Sequence, residues 1–408
     1  MNFFCGARCY QCGKEWDKSE FSYLCPSCMG NLELIYEYPK IKQIATREFF
    51  HNNKDYSLWR YAPFLPLEKK PAIPLQIGWT PLYSVPHKKN IRLYIKDEGR
   101  NPSASLKDRA SSIALGHALE KNVPLVTGAS TGNAGSSMAC LSASVGMPAY
   151  IFVPCQAPQA KIAQLMIFGA NVLMVKGNYD QAFDLCLKIS QELGWYNRNT
   201  GYNPYTREGK KTCAMEICEQ LQWQVPDWVA VSVGDGNIIS GLAKGFSDLQ
   251  KVGLIDRLPK MVAVQSTLSN SIARSIKHFQ EGKPLAIETV QATTIADSIS
   301  VDFPRDGIAA VKAVLESGGI ALEVSDEEIL SAIPKTARQW GIFGEPAGVA
   351  SLAGLQKMLD HNIIKENESI VCVITGNGLK DVSSAIKAAG TPPIIEANIT
   401  AVKQFLHI

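Results

Sequence analysis

The sequence predicts an α/β fold with parallel sheets, and three observations predict it. From about residue 91 onward, short apolar runs alternate with amphipathic stretches of helical period, the pattern of strand–helix–strand units. Glycine-rich turns follow several of the apolar runs, where open α/β sheets bind ligands. Two Cys-x2-Cys pairs stand apart near the N-terminus, as a separate small unit would.

The bulk numbers narrow the class. A chain of 408 residues suggests roughly two or three domains. Its 46% hydrophobic and 19% charged residues suit a full core. A net charge of +3 gives no footing for nucleic acid or a membrane surface. No apolar run approaches the roughly 20 residues of a membrane span. The start, Met1-Asn2-Phe3-Phe4-Cys5-Gly6, has no basic region followed by an apolar core, so no signal peptide is expected. Of eleven cysteines, Cys140, Cys155, Cys186, Cys213, Cys218 and Cys372 sit in apolar surroundings. They read as reduced thiols of a cytoplasmic protein.

The first segment, about residues 1–40, carries Cys9-x2-Cys12 and, after a gap of twelve residues, Cys25-x2-Cys28, each pair followed by glycine within two residues (Gly13, Gly30). Two such knuckles present four thiolates tetrahedrally, the pattern of a structural zinc ribbon. Four thiolates leave no open position for a substrate, and Cys5 is spare. A ribbon this small does not fold on apolar burial alone. Residues 41–90 are rich in Pro and aromatics, as in Trp59-Arg60-Tyr61-Ala62-Pro63-Phe64 and Gly78-Trp79-Thr80-Pro81. They are expected to form an extended connector packed on the body, because so many aromatics are costly in water. In the remaining region, 91–408, strands are expected at 93–96, 125–127, 149–153, 172–175, 229–233, 261–265, 321–324 and 370–375. Helices are expected at 133–145, 159–168, 179–193, 211–221 and 238–252 among others.

Chemistry concentrates in five stretches. In Asn101-Pro102-Ser103-Ala104-Ser105-Leu106-Lys107, the lysine falls at the entrance of a helix, with Ser103 or Ser105 as N-cap. Positive field and burial there favour a neutral amine, which carbonyl chemistry needs; the alternative is an exposed lysine pairing with Asp108 or Glu120. Gly128-Ala129-Ser130-Thr131-Gly132-Asn133 opens a helix whose N–H groups and hydroxyls suit an anion such as a carboxylate, with Asn133 able to bond a ring substituent. The stretch 199–211 combines amides with Arg207, Lys210 and Lys211, which suits a substrate phosphate or is a solvated basic turn. Gly234-Asp235-Gly236-Asn237 after an apolar run suits a cofactor phosphate at a helix N-terminus, but matches neither the P-loop nor the dinucleotide fingerprint. Thr375-Gly376-Asn377-Gly378 offers a hydroxyl to a ring nitrogen, which would stay largely neutral.

Taken together these residues resemble the threonine synthases, pyridoxal-phosphate enzymes of fold type II. The resemblance runs from the cysteine ribbon through Gly78-x-Thr80-Pro81-Leu82, Lys96-Asp97-Glu98-Gly99, Ser105-Leu106-Lys107-Asp108-Arg109, Ser130-Thr131-Gly132-Asn133, Asn203-Pro204, Glu208-Gly209-Lys210-Lys211-Thr212 and the 234–237 and 375–381 turns. It implies two open, twisted α/β domains facing across a cleft, with a small domain at about 120–205 inserted in the larger. It implies Lys107 as the Schiff-base lysine, Asn133 as partner of the cofactor's phenolic oxygen and Gly234, Asp235, Gly236 and Asn237 as the phosphate cup. It gives Thr375 the pyridine nitrogen, Ser130 and Thr131 the substrate carboxylate, and Arg207 with Asn203 the substrate phosphate. The ribbon ligands are Cys9, Cys12, Cys25 and Cys28, with structural zinc possible. The family text before the lysine is Asn-Pro-Thr-Gly-Ser-Phe-Lys, so Ala104 and Leu106 are departures.

The implied activity is conversion of O-phospho-L-homoserine and water to L-threonine and phosphate, by a cytoplasmic homodimer acting on a small molecule, with no nucleic acid or membrane partner. Two alternatives stay open. One is a β-replacement or deaminating enzyme with the same cofactor, such as a cysteate synthase or a threonine dehydratase-like lyase. The other is a non-catalytic binding module that retained the fold.

Overall fold

The computed structural model describes residues 2–21, 23–87 and 90–408. Its strands in chain order are β1 (Phe4–Cys9), β2 (Glu15–Asp17), β3 (Leu32–Tyr36), β4 (Leu82–Val85), β5 (Arg92–Asp97), β6 (Val126–Ala129) and β7 (Ala149–Pro154). They continue with β8 (Asn171–Val175), β9 (Tyr196–Asn197), β10 (Trp228–Ser232), β11 (Lys260–Ser266), β12 (Ile320–Val324) and β13 (Ser369–Ile374). They form three sheets, ordered β2-β1-β3, β12-β11-β10-β13-β5-β4 and β8-β7-β6-β9. The second is parallel except for its edge strand β4, and the third is parallel throughout. Parallel strands covered by helices on both faces read as continuous apolar runs, which is why eight of them are visible in the sequence within a residue or two of their bounds. β4 and β9 are not, because one lies between Pro81 and Pro86 and the other has two residues.

The N-terminal sheet is antiparallel, and Leu32, Leu34 and Tyr36 alternate inward from β3. It seats on the body through aromatic edges, with the Phe4 ring 6.2 Å from that of Tyr205. The connector is not extended as expected. It holds helices Tyr38–Ile44 and Arg47–Asn52 and a 3-10 stretch Leu58–Phe64. Thr46 and Ser57 cap the second and third by accepting the N–H of Phe49 and Trp59. Leu58, Tyr61 and Phe64 are fully buried, so packing decides its shape.

The helix expected from 211 begins earlier and spans Tyr205–Gln220. Its charged first turns look like a loop in sequence, but the charges are paired in the interior. Lys211 bonds Asp248 at 2.8 Å and Arg207 pairs with Asp306. Gly209 lets this helix cross the Lys107–Glu120 helix at backbone contact, since a Cβ there would overlap the Arg109 carbonyl. Below the crossing, Arg109 is held by Glu98 (2.6 Å) and Glu216 (2.5 Å), and Lys96 reaches Glu216 at 2.8 Å, all fully buried. Thr80 and the Trp79 N–H join the same carboxylates. This frame fixes the helix whose first residue is Lys107. Among the described residues no helix is long and apolar enough to cross a membrane.

Candidate active site

A cleft of about 550 Å³ opens between the ends of the two parallel sheets. Lys107, Ser130, Thr131, Asn133, Gly234, Asp235, Gly236, Asn237 and Thr375 all line it. They arrive from turns after β5, β6, β10 and β13, so the topology itself brings them together.

Lys107 is the first residue of its helix, and Leu106 rather than a serine stands at the N-cap. The Ser105 hydroxyl accepts the Lys107 N–H only at 3.4 Å, and Ser103 instead donates its hydroxyl to, and is held by, Asp108. The loop is clipped to the turn after β13. Leu106 N–H donates to the Thr375 carbonyl at 2.9 Å and Asn377 N–H to the Ala104 carbonyl at 3.0 Å. Ala104 takes φ 62° to make this contact. The amine of Lys107 faces the cleft, and burial first, then the nearby Arg198 cation, brings its pKa down to about 8. The neutral amine expected from the sequence is therefore accessible near neutral pH.

Two helices point their N-termini into the cleft without a side-chain cap: Asn133–Ser144 and Asn237–Lys251. Their first-turn N–H groups have no intrahelical acceptor, so each is an anion seat. Gly236 enters the second helix at φ 90°, a conformation a side chain disfavours. Lys210, fully buried, donates to the Asn237 side-chain oxygen. Burial first, then Lys107 and Arg198, hold its pKa well below the usual lysine value. Asn133 lies at the start of its helix and donates to the Glu345 carboxylate.

The structure places the two remaining expected residues elsewhere. Arg207 does not line the cleft: it is buried against Asp306, the Leu32 carbonyl and the Tyr10 ring. Asn203 spends both ends of its amide on the Asn197 carbonyl and the Tyr205 N–H, shaping the entry to its helix. A cationic side chain that sequence reading did not single out, Arg198, does line the cleft and is only 4% exposed. It bonds the hydroxyls of Ser111 (3.1 Å) and Thr200 (2.8 Å), and its Nη2 has no partner. Burial lowers its pKa to about 10. An arginine without a carboxylate in the interior is costly unless an anion joins it. Sequence reading missed it because the two-residue strand β9 before it gives no periodic signal, although it occupies the same post-strand position as the other turns.

In the ribbon, the sulfurs of Cys9, Cys12, Cys25 and Cys28 lie within 4.8 Å of one another. Cys9–Cys28 and Cys12–Cys25 are 3.5 and 3.7 Å apart, close to the edges of a tetrahedron around one metal ion. Cys5 is exposed and stands outside this group.

The chain matches a family model described as pyridoxal-phosphate dependent enzyme over residues 73–376. It is 40% identical to a threonine synthase of Methanocaldococcus jannaschii, covering 98% of both chains. It is 38% identical to one of Methanosarcina acetivorans over 97% of both, and 36% identical to one of Halalkalibacterium halodurans over 84% of this chain and 96% of that one. Among solved structures, a threonine deaminase isoform from Solanum lycopersicum aligns with a TM-score of 0.63 at 22% identity, over 76% of this chain and 88% of that one. Diaminopropionate ammonia lyase from Escherichia coli aligns at 0.65 and 16%, over 86% and 94%. At such identities these two establish the fold alone.

Proposed function

The chain belongs to the pyridoxal-phosphate-dependent enzymes and, among them, to the threonine synthases, and from that premise we propose that its cleft converts O-phospho-L-homoserine and water to L-threonine and phosphate around Lys107. The observation that carries this is the lysine amine and two uncapped helix N-termini lining one cleft, with an unpaired arginine beside them.

The residues present fit the cofactor. The 234–237 turn and Lys210 suit its phosphate, the side chains of Asn133 and Thr375, which line the same cleft, would bond the ring's polar atoms, and Lys107 would supply the amine. When bound, pyridoxal phosphate supplies an electron sink for substrate carbons next to the substrate's amine. Lys107 takes the proton from the substrate α-carbon and returns protons in the later steps, a task suited to an amine with pKa near 8. Ser130, Thr131 and the Asn133–Ser144 helix start hold the substrate carboxylate. Arg198, not Arg207, holds the substrate phosphate with a free Nη2 and stabilises it as it leaves. The small domain of about 120–205 brings Asn133 and Arg198 to the cleft and, by closing, excludes bulk water.

Three finer readings go with it. Zinc in the Cys9–Cys12–Cys25–Cys28 cluster is structural, supported by its closed set of four thiols. Buried thiols at Cys186, Cys213, Cys218 and Cys372 support a reducing, cytoplasmic setting. A homodimer is supported by the exposed apolar side chains of Ile399, Phe405 and Ile408 near the C-terminus.

The test is a substrate panel with product identification: phosphohomoserine, phosphoserine with sulfite, threonine and serine. Threonine and phosphate from phosphohomoserine alone are expected. Preferred turnover of phosphoserine with sulfite, or deamination of threonine, overturns the assignment. Arg198→Gln should raise KM for the phosphorylated substrate while leaving the visible cofactor band intact.

A further inference from the structure

We propose that Arg207 and Asp306 are positioning residues that brace the 234–237 turn against the cysteine knuckle, so that the N-terminal ribbon sets the affinity for the cofactor's phosphate. The proposal rests on the reading of that turn as the phosphate cup.

Asp306 grips the turn from behind. Its N–H donates to the Asp235 carbonyl at 3.0 Å. Its Oδ2 accepts from Asn237 Nδ2 at 2.9 Å and from the Ser240 hydroxyl at 2.8 Å. The preceding residue, Arg305, donates its N–H to Asp235 Oδ1 at 3.2 Å. Contact is so close that a Cβ on Gly236 would stand 2.9 Å from the Asp306 carbonyl and 2.6 Å from the Ala310 Cβ. The peptide planes of the cup therefore take their orientation from Asp306.

A fully buried carboxylate needs a cation, and Arg207 Nη2 supplies it. The same guanidinium is anchored in the ribbon. Nη1 donates to the Leu32 carbonyl at 2.6 Å, and its carbon lies 4.7 Å from the centre of the Tyr10 ring. Nε completes the chain by donating to Ser240 at 3.2 Å. Tyr10 stands between Cys9 and Cys12, and its carbonyl accepts from Lys312 Nζ at 2.6 Å. Lys312 belongs to the helix Gly307–Glu316, which begins directly after Asp306. One knuckle residue thus touches both the cation that holds Asp306 and the helix that continues from it. A metal bound by Cys9 and Cys12 would fix Tyr10 in place. The basic residue that looks like a substrate ligand in sequence is instead a tie between two parts of the chain.

The test compares equilibrium binding of pyridoxal phosphate with that of pyridoxal, which lacks the phosphate, to the full-length apoprotein. Wild type, Tyr10→Phe, Tyr10→Leu and Asp306→Asn are measured, with urea midpoints as a control on folding. Wild type is expected to bind pyridoxal phosphate much the tighter, and Tyr10→Phe, which keeps the ring, to match it. Tyr10→Leu should weaken pyridoxal phosphate on the order of tenfold and Asp306→Asn by more, with pyridoxal unchanged in both. Chelation of the metal should move wild type toward Tyr10→Leu. Unchanged pyridoxal phosphate binding in Tyr10→Leu, or equal weakening of both ligands, overturns the brace. Equal binding of the two ligands by wild type would overturn the reading of the cup itself.

Discussion

The Asn133 side-chain amide donates to the Glu345 carboxylate at 2.6 Å, joining a helix start of the small sheet to the loop beneath the large one. The Glu345 N–H is itself held by the Gly376 carbonyl at 3.1 Å, and a Cβ on Gly376 would overlap the Glu345 oxygen. One buried carboxylate therefore sets Asn133 and the turn after Thr375 at the same time. Gly376→Ala should push Glu345 aside, release Asn133 and cost about 1–3 kcal/mol of stability by overpacking. Glu345→Gln keeps an acceptor for Asn133 and should hold the cofactor nearly as well as wild type. Equilibrium dialysis with pyridoxal phosphate and urea unfolding check both variants.

The amine of Lys107 gives a pH prediction. Its pKa is lowered from 10.5 to about 8, by burial and then by Arg198. The rate at which apoprotein captures pyridoxal phosphate should rise with pH through a midpoint near that value. Arg198→Gln removes a lowering charge and should move the midpoint up; Glu345→Gln removes a raising one and should move it down.

The same shift affects stability. A lysine whose folded pKa is depressed favours folding above its unfolded pKa and disfavours it as pH falls through the folded one. Lys107→Met should therefore stabilise the apoprotein at pH 7, by about 2 kcal/mol after discounting for water in the cleft. The gain should shrink between about pH 8 and 10.5. Thermal melts across that range decide it.

Ala104 holds a left-handed backbone at φ 62°, where an L side chain costs roughly 1–2 kcal/mol and glycine does not. Ala104→Gly should raise the urea midpoint by the equivalent of about 0.5–1 kcal/mol, once glycine's freedom in the unfolded chain is subtracted. An unchanged or lower midpoint would show that the Ala104 methyl contributes packing.

The frame beneath Lys107 predicts acid sensitivity. Burial raises the Glu216 pKa, but Arg109 and Lys96 outweigh it and bring the group down to about 2; Glu98 is lowered likewise. Carboxylates depressed on folding stabilise above their unfolded pKa, near 4.5, and that stability drains away as pH falls toward 2. Arg109→Leu leaves the buried Glu98 without its cation and Glu216 with Lys96 alone, and should cost about 3–5 kcal/mol at neutral pH. Urea titrations at pH 7 and pH 4 should show the gap between variant and wild type narrowing in acid.

Much of this was legible in sequence because its chemistry is local. Lys107, Ser130–Asn133, Gly234–Asn237 and Thr375 each sit in a turn directly after a buried strand, and those strands announce themselves as apolar runs. What stayed hidden depends on distant partners. Arg207 shows a free charge in sequence, yet the carboxylate that takes it lies 99 residues away. Glu345 meets Asn133 across 212 residues. Arg198 matters for a bond it does not make, and no local pattern encodes that. The connector's helices were missed because proline and aromatic content reads as extended chain until the core it covers is known.

The ribbon touches the body on two sides. Tyr23 accepts the Asn197 N–H at 3.0 Å and stacks on Tyr202, on the small sheet's flank. Tyr10 and Leu32 hold Arg207 on the other. An appendage fastened on both sides ties the small sheet's flank to the helix that carries Arg207. A chain shorn of its first 40 residues should therefore hold the two sheets less firmly against each other, and hydrogen exchange at Asn197 and along the 234–237 turn should quicken.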